Sequence, residues 1–303
     1  MNPAELKAVV EYMESDRGVE REVIIRAIEL ALEGASEKTG FEDEDLRIAI
    51  DRTTFQMKAF RSLSDGSEIE STPPSLGRIA AATAKQLIMQ KIRTAEKELI
   101  FDQYKDRVGD IVTGTVVRFE RSDVVIELDH GEAVLQGRER VPTEEYEIGE
   151  RVRAIILDVR ERERGPEIAL SRSHPNFVRS LFELEVSEIS DNTMEIKGIA
   201  REAGYRSKVA VYSNDERVDP VGACIGARGA RIQQVVNELR GEKIDVIRWS
   251  SDPVQYICNS LSPARVEVVR LVDPEGQHAH VLVPPDQLSL AIGREGQNVR
   301  LAA

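Results

Sequence analysis

The feature that most limits how this chain can fold is a fourteen-residue phrase that occurs twice, 67 residues apart. Asp219-Pro-Val-Gly-Ala-Cys-Ile-Gly-Ala-Arg-Gly-Ala-Arg-Ile232 answers to Asp286-Gln-Leu-Ser-Leu-Ala-Ile-Gly-Arg-Glu-Gly-Gln-Asn-Val299. A Gly-x-x-Gly spacing alone says little, because 20 glycines in 303 residues give roughly one by chance at a glycine usage of about 7%. The shared register of the flanks carries the argument. Asp219 and Asp286 are placed to cap a short helix, and Val221, Ala223 and Ile225, matched by Leu288, Leu290 and Ile292, are expected to turn inward. That helix breaks at Gly226 or Gly293, and a second starts after Gly229 or Gly296.

A turn bounded by residues without Cβ atoms lets a sugar-phosphate backbone approach main-chain N–H groups at a helix N-terminus, which attracts anions. Two helices joined by such a loop form the pattern of a KH module, here in tandem. KH modules hold about four nucleotides this way, with the bases in an adjacent apolar groove. The candidate RNA-binding residues are Gly226, Ala227, Arg228, Gly229 and Arg231 in the first copy, and Gly293, Arg294, Glu295, Gly296, Gln297 and Asn298 in the second. Arg206 and Lys208 join them as basic residues upstream of the first loop. Glu295 sets a carboxylate beside the phosphate path, so the second loop should bind less strongly than the first.

A net charge of −13 looks unsuited to nucleic acid, since nonspecific affinity comes mostly from Lys and Arg displacing counterions. The acid is unevenly spread: residues 1–108 and 109–172 each carry −5, and residues 173–303, twice as long as the middle stretch, carry −3. The expectation is modest, selective binding of single strands, with the acidic remainder suppressing nonspecific association. No apolar run approaches the roughly 20 residues of a membrane span. The N-terminus is interrupted by Glu5 and Lys7 and does not read as a signal peptide. Cys224 and Cys258 form no metal or redox spacing, which points to a reduced, cytoplasmic setting.

Pro3–Glu14 and Val19–Glu33 read as helices, the latter with Val19, Val23, Ala27 and Leu30 on one face and Gly34 past its end. Leu46–Asp51 and Phe55–Phe60 alternate as strands around a Thr53-Thr54 turn, and Ser64–Pro74 reads as a polar loop. A long helix follows from Ser75, with Leu76, Ala80, Ala84, Ile88, Ile92, Ala95 and Leu99 in helical period. Between Val108 and Ser171 five short strands separated by turn signals match the count of an OB-fold barrel, a platform for single-stranded nucleic acid. Phe119 and Tyr146 are its only aromatics, so Phe119 is the candidate stacking residue and most RNA affinity is assigned to the KH pair. The domains are thus 1–105, mixed α/β with a long helix; 106–172, the barrel; and 173–250 and 251–303, two KH units. The fold class is α+β multidomain. The first unit closes its sheet with a strand near Ile244–Ile247; the equivalent in the second would lie beyond Ala303, so the natural protein is expected to continue.

Ser75-Leu-Gly-Arg-Ile-Ala-Ala-Ala-Thr-Ala-Lys-Gln86, Gly109-Asp-Ile-Val-Thr-Gly114, Asn237-Glu-Leu-Arg-Gly-Glu-Lys-Ile-Asp245 and both glycine phrases closely resemble the NusA family of bacterial transcription elongation and termination factors. The resemblance implies an N-terminal domain that docks on RNA polymerase, then an S1 domain of OB type and two type II KH domains that hold nascent single-stranded RNA. It also implies action on pausing, intrinsic termination and antitermination, with other antitermination factors and a ribosomal protein as partners. The protein would act as a monomer, without a membrane, cofactor, metal or catalytic activity, since no phosphate-binding loop, nucleophile pair or zinc-ligand cluster is visible. The alternative is an exosome-cap-like RNA-binding subunit feeding a nuclease, which would carry a single KH unit.

Overall fold

The computed structural model describes residues 97–303 except 163–164 and 273–277, together with 21–37, 46–62, 67–70 and scattered positions within 3–14 and 90–94. The chain divides into two units, Met1–Leu99 and Ile100–Ala303.

In the first unit, helix α1 (Arg21–Glu37) packs on a three-stranded antiparallel sheet, β1 (Leu46–Ile50), β2 (Met57–Ser62) and β3 (Glu68–Glu70), in that order. The helix runs through Gly34. Its buried face is Ile24, Ile25, Ile28 and Leu32 against Ile48, Ile50, Phe55 and Ala59. The expected face is therefore reversed, for Val23 and Leu30 are exposed. Both faces of this helix are apolar, and the one with three isoleucines removes more area from water. The turn between β1 and β2 closes on Asp51, whose carboxylate accepts the N–H groups of Thr53 and Thr54 at 2.9 and 2.7 Å. Strand β3 lies in what reads as a polar loop; it pairs with β2, and its Glu68 takes both ends of the Arg47 guanidinium. The described residues of Pro3–Glu14 are helical, whereas the start of the long helix at Ser75 lies outside the described residues.

The second unit opens with helical residues 100–105, whose Ile100 and Tyr104 pack into the barrel core. The barrel is closed by β4 (Ile111–Glu120), β5 (Asp123–Glu127), β6 (Glu132–Leu135), β7 (Arg151–Arg160) and β8 (Glu167–Ser171) in the order β4-β5-β6-β8-β7. This is the OB strand order, with β6 and β8 parallel and the other pairs antiparallel.

Helix α2 (Pro175–Glu185) and the short α3 (Ser187–Ser190) begin the first KH unit. Then come β9 (Met194–Glu202), β10 (Arg206–Ser213), helices α4 (Pro220–Ile225) and α5 (Ala230–Glu238), and β11 (Lys243–Arg248). The sheet runs β11-β10-β9, with β10 parallel to β11 and antiparallel to β9. One face, with Val209 and Val211, packs under the helices. The second KH unit has α6 (Pro253–Ser260), a two-stranded sheet of β12 (Val268–Leu271) and β13 (Ala279–Leu282), and helices α7 (Leu288–Ile292) and α8 (Gln297–Ala302). Among the described residues no helix is long and apolar enough to cross a membrane.

The barrel and first KH unit are joined by a buried ion pair. The Arg172 guanidinium grips Glu144 with two bonds of 2.6 Å and reaches the main-chain carbonyls of Arg153 and Glu238. Burial disfavours both charges, yet the paired guanidinium keeps the Glu144 carboxyl below the usual range, and Glu144 in turn raises Arg172. Removing either partner would leave a buried charge uncompensated.

Candidate nucleic-acid interface

Helix α4 ends at Gly226 (φ 73°, ψ 176°), the chain passes through Ala227 and Arg228 (φ 56°, ψ 25°), and Gly229 (φ 78°, ψ 14°) leads into α5. At the second site the corresponding values are 74° and 172° at Gly293, 53° and 25° at Glu295, and 74° and 13° at Gly296. The two turns have one backbone. Three of four residues in each sit at positive φ, where only glycine is unstrained. The first glycine is required twice over: a Cβ at Gly226 would lie 2.8 Å from Arg231 Cγ, and one at Gly293 would lie 2.7 Å from Asn298 Cβ and 2.8 Å from its backbone nitrogen. The second glycine has room, with nothing nearer than 4.0 Å at Gly229 and 3.4 Å at Gly296.

Ala227 and Arg228 are exposed, and among the described residues no carboxylate pairs with Arg228. At the second turn Arg294 and Glu295 are 92% and 81% exposed and face each other at 3.6 Å. The first tip therefore presents an uncompensated cation and the second a cation with its own counter-charge.

The other expected residues divide. Arg231 is turned back onto its own domain, donating to Glu188 and to the Ala223 carbonyl. Asn298 is 1% exposed, and its amide donates to the carbonyls of Leu261, Leu290 and Ala291. Arg206 forms a two-pronged pair with Asp245. Lys208, 2% exposed, donates to Asp245 and to the Ser262 carbonyl of the second KH unit. It sits on the face of the first KH sheet opposite Val209, and that face is covered. Burial lowers the Lys208 ammonium below its usual range against the pull of Asp245. These four side chains are thus engaged by partners within the protein. Gln297 donates to Glu202 of the first KH unit. Phe119 is 42% exposed on the barrel, and Tyr146 is core, bonded to Glu144.

Two helix assignments also change. Pro220 and Cys224 are the buried residues of α4 and Ala291 that of α7; Val221 and Ala223 pack partly buried against the core, whereas Ile225, Leu288, Leu290 and Ile292 are exposed. Alternate residues share a face in a strand and not in a helix, so the inward expectation holds in part for Val221 and Ala223 and fails for Ile225 and for Leu288, Leu290 and Ile292. Asp219 caps α4 through the Gly222 N–H, but Asp286 bonds the Gln287 side chain and leaves α7 without a side-chain cap. The proline that follows Asp219 precedes Asp286, so Asp286 falls inside the turn before α7.

Sequence reasoning missed one cluster. Tyr212 and Trp249 meet edge to face at 5.4 Å, Tyr256 lies 6.5 Å from Trp249, and the Lys197 ammonium sits over both Tyr212 and Trp249. The parallel pairing of Val211 with Arg248 sets Tyr212 beside Trp249, a neighbourhood that sequence shows only once the strand register is known.

Comparison with known proteins agrees along the chain. Residues 172–249 match the NusA-like first KH domain, residues 253–303 the NusA-like second KH domain, and residues 5–64 and 62–98 the NusA N-terminal domain. The chain is 42% identical over 96% of its length to the transcription termination/antitermination protein NusA of Halalkalibacterium halodurans, covering 83% of that relative. It is 44% identical over 98% of its length to the protein of the same name from Mycobacterium bovis, covering 89% of it. Among solved structures, the N-terminal domain of NUSA from B. subtilis matches at 30% identity and TM-score 0.28, covering 31% of this chain and 98% of that one.

Proposed function

The chain belongs to the NusA family of transcription termination/antitermination proteins, and from that premise we propose how it works. It is a transcription factor that binds RNA polymerase and nascent single-stranded RNA, slowing elongation at pauses, assisting hairpin-dependent termination and joining antitermination complexes. Residues 1–105 face the polymerase, and residues 106–303 hold the emerging strand. The protein works as a cytoplasmic monomer, through binding and not catalysis, alongside other antitermination factors and a ribosomal protein.

The observation that carries this reading is the pair of glycine turns with one backbone and exposed tips. Each brings a strand's phosphates to the start of a helix, where the dipole and free N–H groups favour an anion, and Arg228 adds a charge that no carboxylate among the described residues claims. The exosome-cap reading is not favoured, because two KH units are present.

The test uses the full chain, purified RNA polymerase and a template with one pause site and one hairpin terminator. Longer dwell at the pause and more release at the hairpin are expected. Unchanged dwell and unchanged release, with no retention of polymerase on the immobilised protein, would overturn the proposal.

A further inference from the structure

The second glycine turn is supported from outside its own domain. Arg300, in the first turns of α8, lays its guanidinium along this loop: a Cβ at Gly296 would lie 3.4 Å from one of its terminal nitrogens, and that same nitrogen donates to the Glu295 carbonyl. The rest of the fork donates to Glu202, at 3.1 and 2.9 Å, and Gln297 adds a third bond to that carboxylate at 2.8 Å. Glu202 ends strand β9 of the first KH unit. Its carboxyl is held below the usual range first by Gln297 and then by Arg300.

Glu202 is itself anchored. Its carbonyl accepts the Tyr205 N–H across the β9–β10 turn. The preceding residue, Arg201, is locked on buried Glu242, which also takes the Gly204 N–H. Gly204 lies so close to the barrel that an added Cβ would stand 2.2 Å from Thr143 Oγ1. A continuous line of contacts therefore runs from the barrel, through the β9–β10 turn and Glu202, to Arg300 and the backbone of the second glycine turn.

We propose that Glu202 is a positioning residue for RNA binding at the second glycine turn, acting through Arg300. By fixing that turn on the body that carries the first turn, Glu202 makes the two sites a single track of set spacing for one strand. The inference rests on the RNA-binding reading above. A second site held at fixed spacing adds affinity as an intramolecular event, and a mobile one adds much less. The gain should therefore appear only with strands long enough to reach both turns.

The experiment is fluorescence anisotropy of the full chain with labelled, unstructured single-stranded RNAs from about 4 to about 16 nucleotides. For the wild type, affinity should step upward once the strand spans both turns. Glu202→Ala should leave short-strand affinity, set by the first turn, unchanged and lower long-strand affinity by about 5- to 10-fold. Glu202→Gln keeps an acceptor in place and should retain most of the step. Arg300→Lys keeps the charge beside the loop but lacks a fork that can reach Glu202 and Glu295 together, so it should lose the step as Glu202→Ala does. Loss of stability alone would lower short- and long-strand binding alike. Equal or tighter binding of long strands by Glu202→Ala would overturn the proposal, since Glu202 would then merely neutralise Arg300. A wild type that binds none of the strands would overturn the RNA-binding reading itself, and a wild type that binds short strands but shows no step would overturn this inference alone.

Discussion

Two residues into the second helix of each glycine element, the first KH unit carries Arg231 and the second Asn298, and both donate to the equivalent carbonyl of the preceding helix, Ala223 in one and Leu290 in the other. Each also fills the space that keeps a Cβ off the first glycine. One structural task is thus done by two unlike side chains. Arg231 is long enough to reach Glu188 on α3, at the domain surface. Asn298 is short and buried, and spends its remaining bonds on Leu261 and Ala291 beneath the loop. The backbone of the turn is what recurs; the support follows from the surroundings, and the charge at the tip differs again. A donor near a phosphate-binding turn is therefore weak evidence of phosphate contact, because the turn needs a donor of its own.

The tips should separate the two sites most. Replacing Ala227 and Arg228 together by Asp removes the unpaired cation and adds two carboxylates on the phosphate path. Affinity for single-stranded RNA should fall about 100-fold, equivalent to about 2.7 kcal/mol, with an unchanged circular dichroism spectrum, since both positions are exposed. The same pair placed at Arg294 and Glu295 should cost about 10-fold or less, because a carboxylate already stands there. Equal losses at the two sites would break the comparison, and no loss at the first would remove the KH interface.

Much of this was legible in advance, for reasons that differ by element. The glycine turns declare themselves because positive φ leaves a mark in residue type at fixed spacing. The barrel strands show through their alternation and turn residues, and the closed order followed. Strand β3 did not show, because Glu68-Ile-Glu70 is exposed and polar and is held by pairing with β2. The buried face of α1 is ambiguous in sequence because both of its sides are apolar. Lys208 and Arg206 read as RNA-binding residues from charge and nearness in sequence alone. Alternation along β10 does put Lys208 opposite Val209 and Val211, but nothing local says that the second KH unit covers that side as well. Glu202 and Arg300 went unnoticed for the same reason: their pairing spans 98 positions.

Glycine replacement sharpens the contrast next. Gly293→Ala forces a Cβ against the backbone and Cβ of Asn298, atoms that cannot swing away, at a φ that disfavours alanine. It should destabilise by about 2 to 3 kcal/mol. Gly226→Ala meets the flexible stem of Arg231 and should cost about 1 to 2 kcal/mol, while Gly229→Ala, with open space around it, should show only the strain of positive φ, about 1 kcal/mol. Urea unfolding followed by the fluorescence of Trp249, the only tryptophan, would give the order. A larger effect at Gly229 than at Gly293 would contradict the packing described.

The supporting donors rank below that. Asn298→Ala leaves three carbonyls without their donor in a buried site, a loss of about 2 kcal/mol. Arg231→Ala frees Glu188 and the Ala223 carbonyl where water can reach them, and should cost under about 1 kcal/mol. The same unfolding assay decides between them, and equal costs would mean that the two donors are buried alike.

The smallest expected difference is in pH dependence, and it isolates the chemistry of the two supports. The Glu188 carboxyl lies below its ordinary value of 4.5, first because its own backbone N–H bonds it, with burial opposing and the bonds from Arg231 and Ser187 adding to the effect. A carboxylate whose folded pKa is lowered contributes stability that is present above its unfolded pKa and is lost as pH falls through the folded value. The support of the first turn should therefore weaken below about pH 4.5, by under about 1 kcal/mol because the pair is partly exposed. Asn298 carries no titrating proton, so its contribution to the second turn should stay level over the same range. The measurement compares urea midpoints of the wild type and Glu188→Gln from about pH 6 to about pH 3, with Asn298→Ala as the reference. The gap between wild type and Glu188→Gln should close toward the acid end while the gap to Asn298→Ala holds. A Glu188→Gln gap that is constant with pH would show that Arg231 supports the first turn without drawing on the carboxylate's charge.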